Sequence, residues 1–518
     1  MMILPIVAAC SHAQEATKVR LKASPELNII TMWFEKADLL RYRDALCYAR
    51  LRGSRVVPFE EEKVTEGPVQ AGCPGGAKAR QRCRHRHPGR DKSDRHKAGG
   101  VAVSVQQLRR SLQGAKLARL RVAHLRPNAE GEERGIFATE QIRNGDIIAE
   151  VPQRWVLSAE KARESEVGKA FLEVFPEASA LPRNKLIFLL DLMAARSEAH
   201  PMHSYVATLP SQSPTPMSWP SNLRAMLADT NLGAAVAEER SQLEEEFANI
   251  MPKLQKERPE LFGELFNLEA FLWAHGMWFS RRFPTAMAAM GKSKDYSWRR
   301  SSEEEMEEES DGEGALVPFM DFTNHQSGTQ IVWQADAEKV TFVAGGDIPS
   351  GSEVFNNYGD KSNEDLLLIH GFALVDNIYD TYSLWLTVQV SDQPKAKKAK
   401  KRRLRTERIG PFHLRRLDPR WEQFPPELWQ ALSSTGDHIR ALSTLVKQRL
   451  QDFLETKTRD RHFAAGGAAE GQELDPRIRY IARYRDGQRQ VLEECNKALE
   501  EMAAKAEPAE PGSASTCT

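Results

Sequence analysis

Two short segments in the second half of the chain decide the fold. The first reads Val317-Pro318-Phe319-Met320-Asp321-Phe322-Thr323-Asn324-His325. A strand-like run follows, and then the turn Pro349-Ser350-Gly351. The second segment reads Glu353-Val354-Phe355-Asn356-Asn357-Tyr358-Gly359, and a helical pattern leads from it to Gly371-Phe372. The pattern predicts strand, turn, strand and short helix in that order, with Ser362 as the helix N-cap and Asp365 three residues later.

Further elements lie upstream of these segments. The sequence Glu132-Glu133-Arg134-Gly135-Ile136-Phe137-Ala138-Thr139 predicts a glycine turn and a strand at about 135–139. Asn144-Gly145-Asp146 then predicts a turn before a second strand at 147–152. From Ser158 the apolar period becomes helical, with Leu186, Leu189, Leu190 and Met193 on one face.

The order of these pieces resembles that of SET-domain protein methyltransferases. The long helical insert is similar to that of the branch containing the Rubisco large-subunit lysine methyltransferases and the actin histidine methyltransferases. The resemblance covers about residues 103–500. It implies an α+β fold, namely a SET β-fold with a pseudoknot, a long helical insertion and a helical C-terminal domain that helps to hold a protein substrate.

The same resemblance, together with composition, predicts the domain organisation. Residues 1–102 are a divergent, largely disordered extension, because Gly76–Gly100 is rich in Arg, His and Gly without apolar periodicity. The other predicted parts are a SET domain at 103–380 with its insertion at about 158–283 and an acidic loop at 301–314, a helical substrate-binding domain at 381–505 made of two apolar helical stripes, and a disordered tail at 506–518.

Composition limits the partners. Lys plus Arg and Asp plus Glu each total 72 in the 518 residues, so no overall field attracts nucleic acid. Nucleic acid is not an expected partner, apart from two basic segments, 76–97 and 395–405. The second segment fits a nuclear localisation signal or a nucleic-acid patch, and it is equally well explained as a hairpin loop. The acidic loop has eight acids in fourteen residues, which either attract a basic substrate or are simply solvated. A monomer that acts on a protein substrate is expected.

Cysteine spacing and hydropathy limit the compartment. The six cysteines are irregularly spaced, which favours a reducing compartment, and no apolar run is long enough to span a membrane. Met1–Ala13 lacks the basic start of a secretory signal, and Glu15 and Glu26 follow where a plastid transit peptide is poor in acids. Cytoplasm or nucleus is therefore favoured over plastid. No metal site is predicted, because His325 has no second ligand at a suitable spacing.

The chain has no Gly-rich strand-to-helix motif of the dinucleotide-binding kind, so S-adenosylmethionine, which the resemblance implies, needs another type of pocket. Family analogy assigns the cofactor's amino acid end to a set of residues with paired donors and acceptors: Glu132, Glu133, Arg134, Arg281 and Asn324, with Asp321 fixing the turn. The same analogy assigns the adenine to the His325 backbone and to a wall of His370, Gly371 and Phe372.

Tyr358 is the predicted catalytic residue and also contacts the substrate. Methyl transfer is an in-line displacement, so most of the rate comes from holding the nucleophile in line with the methyl group while water is excluded. A neighbouring sulfonium cation and desolvation both lower the pKa of a lysine amine, so a strong protein base is not required. Tyr358 is therefore expected to orient the nucleophile more than to deprotonate it.

Two departures from the family pattern affect the target. Many lysine-specific members have a second tyrosine where this chain has His370, so the methylation number or the target atom is open. Phe283 stands at a position where the histidine-specific members that this chain resembles use a polar residue. A phenyl ring at this position suits the aliphatic stem of a lysine better than an imidazole. Lysine of a non-histone protein is thus favoured, with protein-histidine methylation and an inactive SET-like interaction scaffold as alternatives.

Overall fold

The computed structural model describes most of the chain from residue 108 onwards and three short pieces before it. The described residues are 22–24, 29–31, 33–34, 108, 110–117, 119–124, 134–176, 183–288, 296–298, 314–391, 404–433, 437–466 and 475–506. Within them the fold is α+β, as predicted. No helix of this described part combines the length and apolarity that a bilayer crossing requires.

The strands are short and form several small sheets. Their bounds are β1 Lys22–Ser24, β2 Ile29–Thr31, β3 Trp33–Phe34, β4 Leu120–His124, β5 Arg134–Ala138, β6 Ile147–Pro152, β7 Leu157–Ser158, β8 Tyr296–Trp298, β9 Ala315–Leu316, β10 Ile331–Ala335, β11 Lys339–Ala344, β12 Thr381–Ser391 and β13 Leu404–Arg415. The strands predicted at 135–139 and 147–152 are confirmed as β5 and β6.

The largest of these sheets has the order β6-β11-β10-β8 and is antiparallel throughout. Its β10–β11 hairpin pairs Trp333 with Phe342, and both rings are at least 93% buried, with relative exposures of 7% and 1%. Separate pairs join β4 to β5 and β7 to β9. These strands give the two segments around Asn324 and Tyr358 a rigid support.

Helices fill the chain between β7 and β8. They are α1 Ala159–Glu164, α2 Glu166–Val174, α3 Arg183–Ala194, α4 His203–Val206, α5 Ser221–Ala225, α6 Asn231–Glu257 and α7 Leu268–Arg281. Side chains of Ser158, Ser165, Thr230 and Asn267 accept a hydrogen bond from the first turn of α1, α2, α6 and α7, which explains where these helices begin. The predicted face Leu186, Leu189, Leu190 and Met193 is fully buried.

The chain after the Tyr358 segment continues with the short helix α8 Asn363–Asp365, which runs into a π-helical turn, Leu366–His370. The predicted cap is confirmed, since the Ser362 hydroxyl accepts from the Asp365 main-chain N–H at 3.1 Å. Leu366 and Leu367 are fully buried and anchor the turn that carries His370.

The C-terminal region is not purely helical, and its first element is a hairpin of the kind that was one explanation of the basic segment 395–405. It opens with the hairpin β12–β13, whose pairing runs from Thr381 with Arg415 to Ser391 with Leu404. Helices follow: α9 Pro426–Leu432, α10 His438–Leu454, α11 Lys457–Ala464 and α12 Pro476–Ala506. Hairpin and helices share a second core, and α12 joins the two cores, because Ile481 and Tyr484 pack in the first while Leu492 and Cys495 pack in the second.

Several predicted segments fall wholly or partly outside the described residues. In the extension 1–102, predicted to be largely disordered, the described pieces are strands, and β3 pairs in parallel with β12. The rest of that extension, positions 301–313 of the acidic loop, 395–403 of the basic segment and the tail from 507 lie outside the described part.

Candidate functional site

The two segments that decide the fold lie side by side. His325 and Asn356 form a parallel β-bridge. The Asn356 main-chain N–H donates to the Asn324 carbonyl at 2.8 Å, and the Gln326 N–H donates to the Asn356 carbonyl at 2.9 Å. A third bond runs from the Tyr358 N–H to Nδ1 of His325 at 3.0 Å. Residues about thirty positions apart in sequence therefore build one wall of a site.

The hydroxyl of Tyr358 is held in a defined orientation. It donates to the Thr323 carbonyl at 2.6 Å, so its proton is engaged by the protein and its lone pairs are left to accept. Burial, which outweighs the nearby Arg281 charge, raises the pKa of Tyr358 to about 12. The phenol thus stays protonated near neutral pH and serves as a fixed hydrogen-bond acceptor rather than as a base.

Three rings surround the ring of Tyr358. The Tyr358 ring lies 4.6 Å from the His370 ring and 5.2 Å from the His325 ring, measured between centroids. Phe372 completes the cluster at 6.3 Å from Tyr358. The structure therefore brings together the predicted adenine wall and the predicted catalytic residue.

Gly371 is required where the π-helical turn ends. Its φ of 80° lies in the left-handed region, and a Cβ added there would meet the Pro214 carbonyl oxygen at 2.2 Å. Only glycine fits this contact without displacing backbone. The close approach of residue 371 to Pro214 ties the position of Phe372 to the helical insertion.

His370 has a fixed tautomer. Its Nδ1 lies 2.9 Å from the Ser280 carbonyl, and because a carbonyl only accepts, Nδ1 carries the proton. Burial lowers the pKa of His370 to about 3, so the ring is neutral. Among the described residues Nε2 has no hydrogen-bond partner, which leaves one unprotonated acceptor nitrogen beside the Tyr358 ring.

A buried polar cluster lies behind the rings. Nη1 of Arg281, at the end of α7, donates to the Asp321 carbonyl at 3.0 Å and to its Oδ2 at 3.1 Å. The Tyr205 hydroxyl donates to the same Oδ2 at 3.0 Å. Burial raises the pKa of Asp321, and the Arg281 charge opposes that rise. Asp321 follows Phe319, whose φ of 73° is rare for a non-glycine residue, so the turn that presents the carboxylate is strained.

Asn324 connects this cluster to the opening strand. Its Nδ2 donates to the Arg134 carbonyl and to Oε1 of Glu353, both at 2.7 Å. Both amide hydrogens are thus engaged, and Oδ1 is left as an acceptor. Arg134 is 8% exposed, and its guanidinium lies 4.6 Å from the centre of the Phe322 ring. The predicted residues Arg134, Arg281, Asp321 and Asn324 therefore share one region.

One predicted site residue lies elsewhere. Phe283 is 6% exposed, and its ring packs edge-on against Trp333 at 5.3 Å and Phe342 at 5.7 Å. Its predicted contact with the substrate is corrected accordingly, because a ring enclosed in the sheet core has no free face for a substrate side chain. Glu132 and Glu133 lie outside the described residues.

Three groups of the site are not predicted by the sequence patterns. Glu353 bonds to Asn324, Tyr205 bonds to Asp321, and the Ser280 carbonyl fixes His370. Burial raises the pKa of Glu353, with the Asn324 bond opposing the rise. Glu353 directly precedes the apolar run Val354-Phe355. The alternation of side-chain direction along that run is the feature of the sequence that could indicate a site role for Glu353.

The sequence of this chain is similar to those of several known proteins. Residues 133–359 match the family model described as the SET domain. Ribosomal lysine N-methyltransferase set10 of Schizosaccharomyces pombe is 24% identical over 266 residues, which are 51% of this chain and 44% of that protein. N-lysine methyltransferase SETD6 of Homo sapiens is 24% identical over 366 residues, 69% of this chain and 72% of that protein. The chain thus spans less than half of the yeast relative.

Solved structures show the same fold. A structure of Rubisco LSMT bound to sinefungin and monomethyllysine superposes with a TM-score of 0.57 at 19% identity, over 78% of this chain and 92% of that one. A structure of Rubisco LSMT bound to AdoMet gives the same TM-score, identity and coverage.

Proposed function

We propose that this chain, which belongs to the SET-domain family, is an S-adenosylmethionine-dependent protein N-methyltransferase that acts on lysine of a non-histone protein. One observation carries the proposal. Three distant parts of the chain meet at one site and supply the Arg281–Asp321 pair, the Asn324 amide and the Tyr358 hydroxyl. The relatives named lysine N-methyltransferases support the reaction class.

The residues present fit the proposed cofactor. Its amino acid end carries a carboxylate and an ammonium group, which need donors and acceptors respectively. Nε of Arg281 is buried without a partner among the described residues, and it is a donor suited to a carboxylate. Oδ1 of Asn324 and the carboxyl group of Glu353 are acceptors suited to an ammonium group. The rings of His325 and Phe372 offer faces to the adenine.

When bound, S-adenosylmethionine supplies a methyl group on a sulfonium, and the chain's own residues arrange the acceptor. A lysine amine has an ordinary pKa near 10.4, and keeping it neutral at pH 7 costs about 4 to 5 kcal/mol unless the site lowers that pKa. Desolvation among the four rings lowers it. The Tyr358 hydroxyl, with its proton engaged by Thr323, accepts an N–H of the amine and fixes the direction of the nitrogen lone pair.

His370 supplies the second acceptor at the nitrogen. Its unprotonated Nε2 lies in a ring whose centre is 4.6 Å from that of Tyr358. An acceptor at this place holds a further N–H of the amine or of its methylated product. We therefore propose that His370 governs how many methyl groups are added, in place of the adenine contact that family analogy assigns to it.

Lysine remains the proposed target although Phe283 does not line the site. In this proposal the two groups that receive the substrate nitrogen are acceptors: the phenol oxygen of Tyr358 and the free nitrogen of His370. An amine offers several N–H groups to two acceptors, whereas a neutral imidazole offers one. The pair of acceptors therefore suits lysine better than histidine.

Labelling identifies both activity and target. The full-length protein is incubated with tritiated S-adenosylmethionine and a cell lysate, and labelled residues are mapped by mass spectrometry. Label on lysine supports the proposal. Label on histidine alone identifies the alternative enzyme, and cofactor binding without any label identifies an interaction scaffold.

We further propose that the protein works as a monomer in the cytoplasm or nucleus, with nucleic-acid contact limited to 76–97 and 395–405. The equal totals of acidic and basic residues support a weak overall field. Light scattering after gel filtration tests the assembly state, imaging of the tagged full chain tests the compartment, and salt-dependent RNA binding tests the basic segments.

A further inference from the structure

A cavity of about 210 Å³ lies apart from the site around Tyr358. It opens where the start of α6 meets the hairpin β12–β13 and the end of α10. The Asn231 Nδ2 donates to the Ser383 carbonyl at 2.8 Å, which joins the helical insertion to the hairpin at this place. None of the lining residues belongs to the proposed catalytic or cofactor-binding set.

Two arginines line the cavity, and their positive charges have few acidic partners among the described residues. The Arg408 guanidinium lies over the Trp385 ring at 4.0 Å, and among the described residues it makes no side-chain hydrogen bond or ion pair. The nearest carboxylate to Arg449 is Asp452, at the long distance of 3.7 Å between Nη1 and Oδ2. Both side chains are partly exposed to solvent, the Arg449 side chain by 41%, so their remaining N–H donors are accessible to a ligand at the cavity.

A tyrosine hydroxyl adds a third donor. Tyr382 lines the same cavity and is 7% exposed, yet its hydroxyl has no hydrogen-bond partner among the described residues. Its ring is fixed edge-on against Phe453 at 6.4 Å. Burial raises the pKa of Tyr382 to about 12, so the hydroxyl keeps its proton. The hydroxyl is therefore a protonated donor at the cavity, accessible to an acceptor of a ligand.

The charges around the cavity define the ligand class. Two guanidinium groups and a phenol suit an oxyanion with several acceptor lone pairs. Asp229 and Asp452 also line the cavity, so each further negative charge on a ligand adds repulsion. A singly charged carboxylate therefore fits better than a doubly charged phosphate.

We propose that this cavity is a binding site for a carboxylate group, held by Arg408, Arg449 and Tyr382. Because those residues lie on both strands of the hairpin and on α10, and Asn231 ties the hairpin to α6, a bound carboxylate stabilises the contact between the C-terminal region and the helical insertion. The proposal is independent of methyl transfer, since it involves no residue of the Tyr358 site.

The melting temperature of the full chain tests the site. Sodium acetate is compared with sodium chloride and sodium phosphate at equal ionic strength. Acetate is expected to raise the melting temperature more than either of the other salts. An equal rise with chloride overturns the proposal, because it reduces the effect to ionic strength.

Variants assign the effect to the cavity. Arg449→Gln and Arg408→Gln should each weaken acetate binding about tenfold or more, since each removes a charge-assisted bond. Tyr382→Phe removes only a hydroxyl that has no partner in the protein, so it should fold normally and still bind acetate several-fold more weakly. Arg440→Gln, on the exposed face of α10 outside the cavity, is the matched control and should bind like the parent. Parental affinity in all three cavity variants overturns the proposal.

Two peptides identify the source of the carboxylate. Calorimetry compares a capped tripeptide bearing one glutamate side chain with a trialanine whose C-terminus is free. Tighter binding of the first than of acetate assigns the site to an acidic side chain, and tighter binding of the second assigns it to a chain end. If neither peptide nor acetate binds the parent protein, the proposal is wrong.

Discussion

Removal of the Tyr358 hydroxyl tests the proposed reaction most specifically. In Tyr358→Phe the ring stays in its cluster, and the main-chain bond to His325 at 3.0 Å is untouched. The lost group is the acceptor for the amine, whose nitrogen gains positive charge in the transition state, and a hydrogen bond to a charged partner contributes about 1.5 to 3 kcal/mol. At 1.36 kcal/mol per tenfold change in rate, kcat should fall about 10- to 160-fold.

The same substitution has a structural cost that must be measured separately. The Thr323 carbonyl loses its donor, and because Thr323 is only 2% exposed, the free energy of unfolding should fall by about 1 to 3 kcal/mol. Turnover is therefore measured with tritiated S-adenosylmethionine below the melting transition, and cofactor affinity is measured by calorimetry. Tyr379→Phe, in a loop outside the site, is the matched control. An unchanged kcat with normal cofactor binding would remove Tyr358 from the mechanism.

Four further substitutions extend the test. Arg281→Lys keeps the charge but loses the planar fork, so S-adenosylmethionine should bind at least about tenfold more weakly in calorimetry; equal affinity contradicts the assigned role. His370→Phe keeps a ring and removes the Nε2 acceptor, so mass spectrometry should show a changed ratio of methylation states at parental cofactor affinity; weaker cofactor binding with an unchanged ratio would return His370 to the adenine wall. Gly371→Ala places a Cβ 2.2 Å from the Pro214 carbonyl oxygen at a φ of 80°, so urea unfolding should show a loss of about 2 kcal/mol or more, and parental stability would refute the packing. Glu364→Gln should flatten the pH dependence of stability. Burial raises the pKa of Glu364 from 4.5 to about 7, so the folded chain keeps a proton that the unfolded chain has lost, and parental stability should fall by about 3 kcal/mol as pH rises from 4.5 to 7. A variant with the parental slope contradicts this assignment.

Local chemistry explains why part of the site could be predicted from sequence. The Ser362 cap and the glycine at 371 follow from short-range rules on helix ends and left-handed backbone. The prediction that the Asn324 and Tyr358 segments meet rests on the order of the motifs, which resembles that of the SET family. The order of motifs can be seen in a sequence, and here that order correctly predicts that the two segments lie in contact.

Long-range packing explains what could not be predicted. Phe283 was assigned to the substrate by its place beside Arg281, but its ring is enclosed by Trp333 and Phe342 from a hairpin far along the chain. The Tyr205 bond to Asp321 joins positions 116 residues apart. No local period encodes either contact, because burial of a side chain depends on which distant element covers it.

The hairpin that opens the C-terminal region is predicted only as one of the explanations of the basic segment 395–405, for a related reason. Helical stripes such as Leu442, Val446 and Phe453 give a strong period, and all three are buried as predicted. The residues of β13 carry charges and a proline, which weaken the strand signal in sequence. Their pairing with β12 along its whole length decides the structure instead.

Calorimetric titration of the full-length protein with S-adenosylmethionine tests the central claim most directly. If the Asn324 and Tyr358 segments form one pocket with Arg281 and Asp321, the titration should show one cofactor bound per chain, and Asn324→Ala should weaken that binding about tenfold or more. A folded protein that takes up no cofactor, or an Asn324→Ala variant that binds like the parent, would contradict the account.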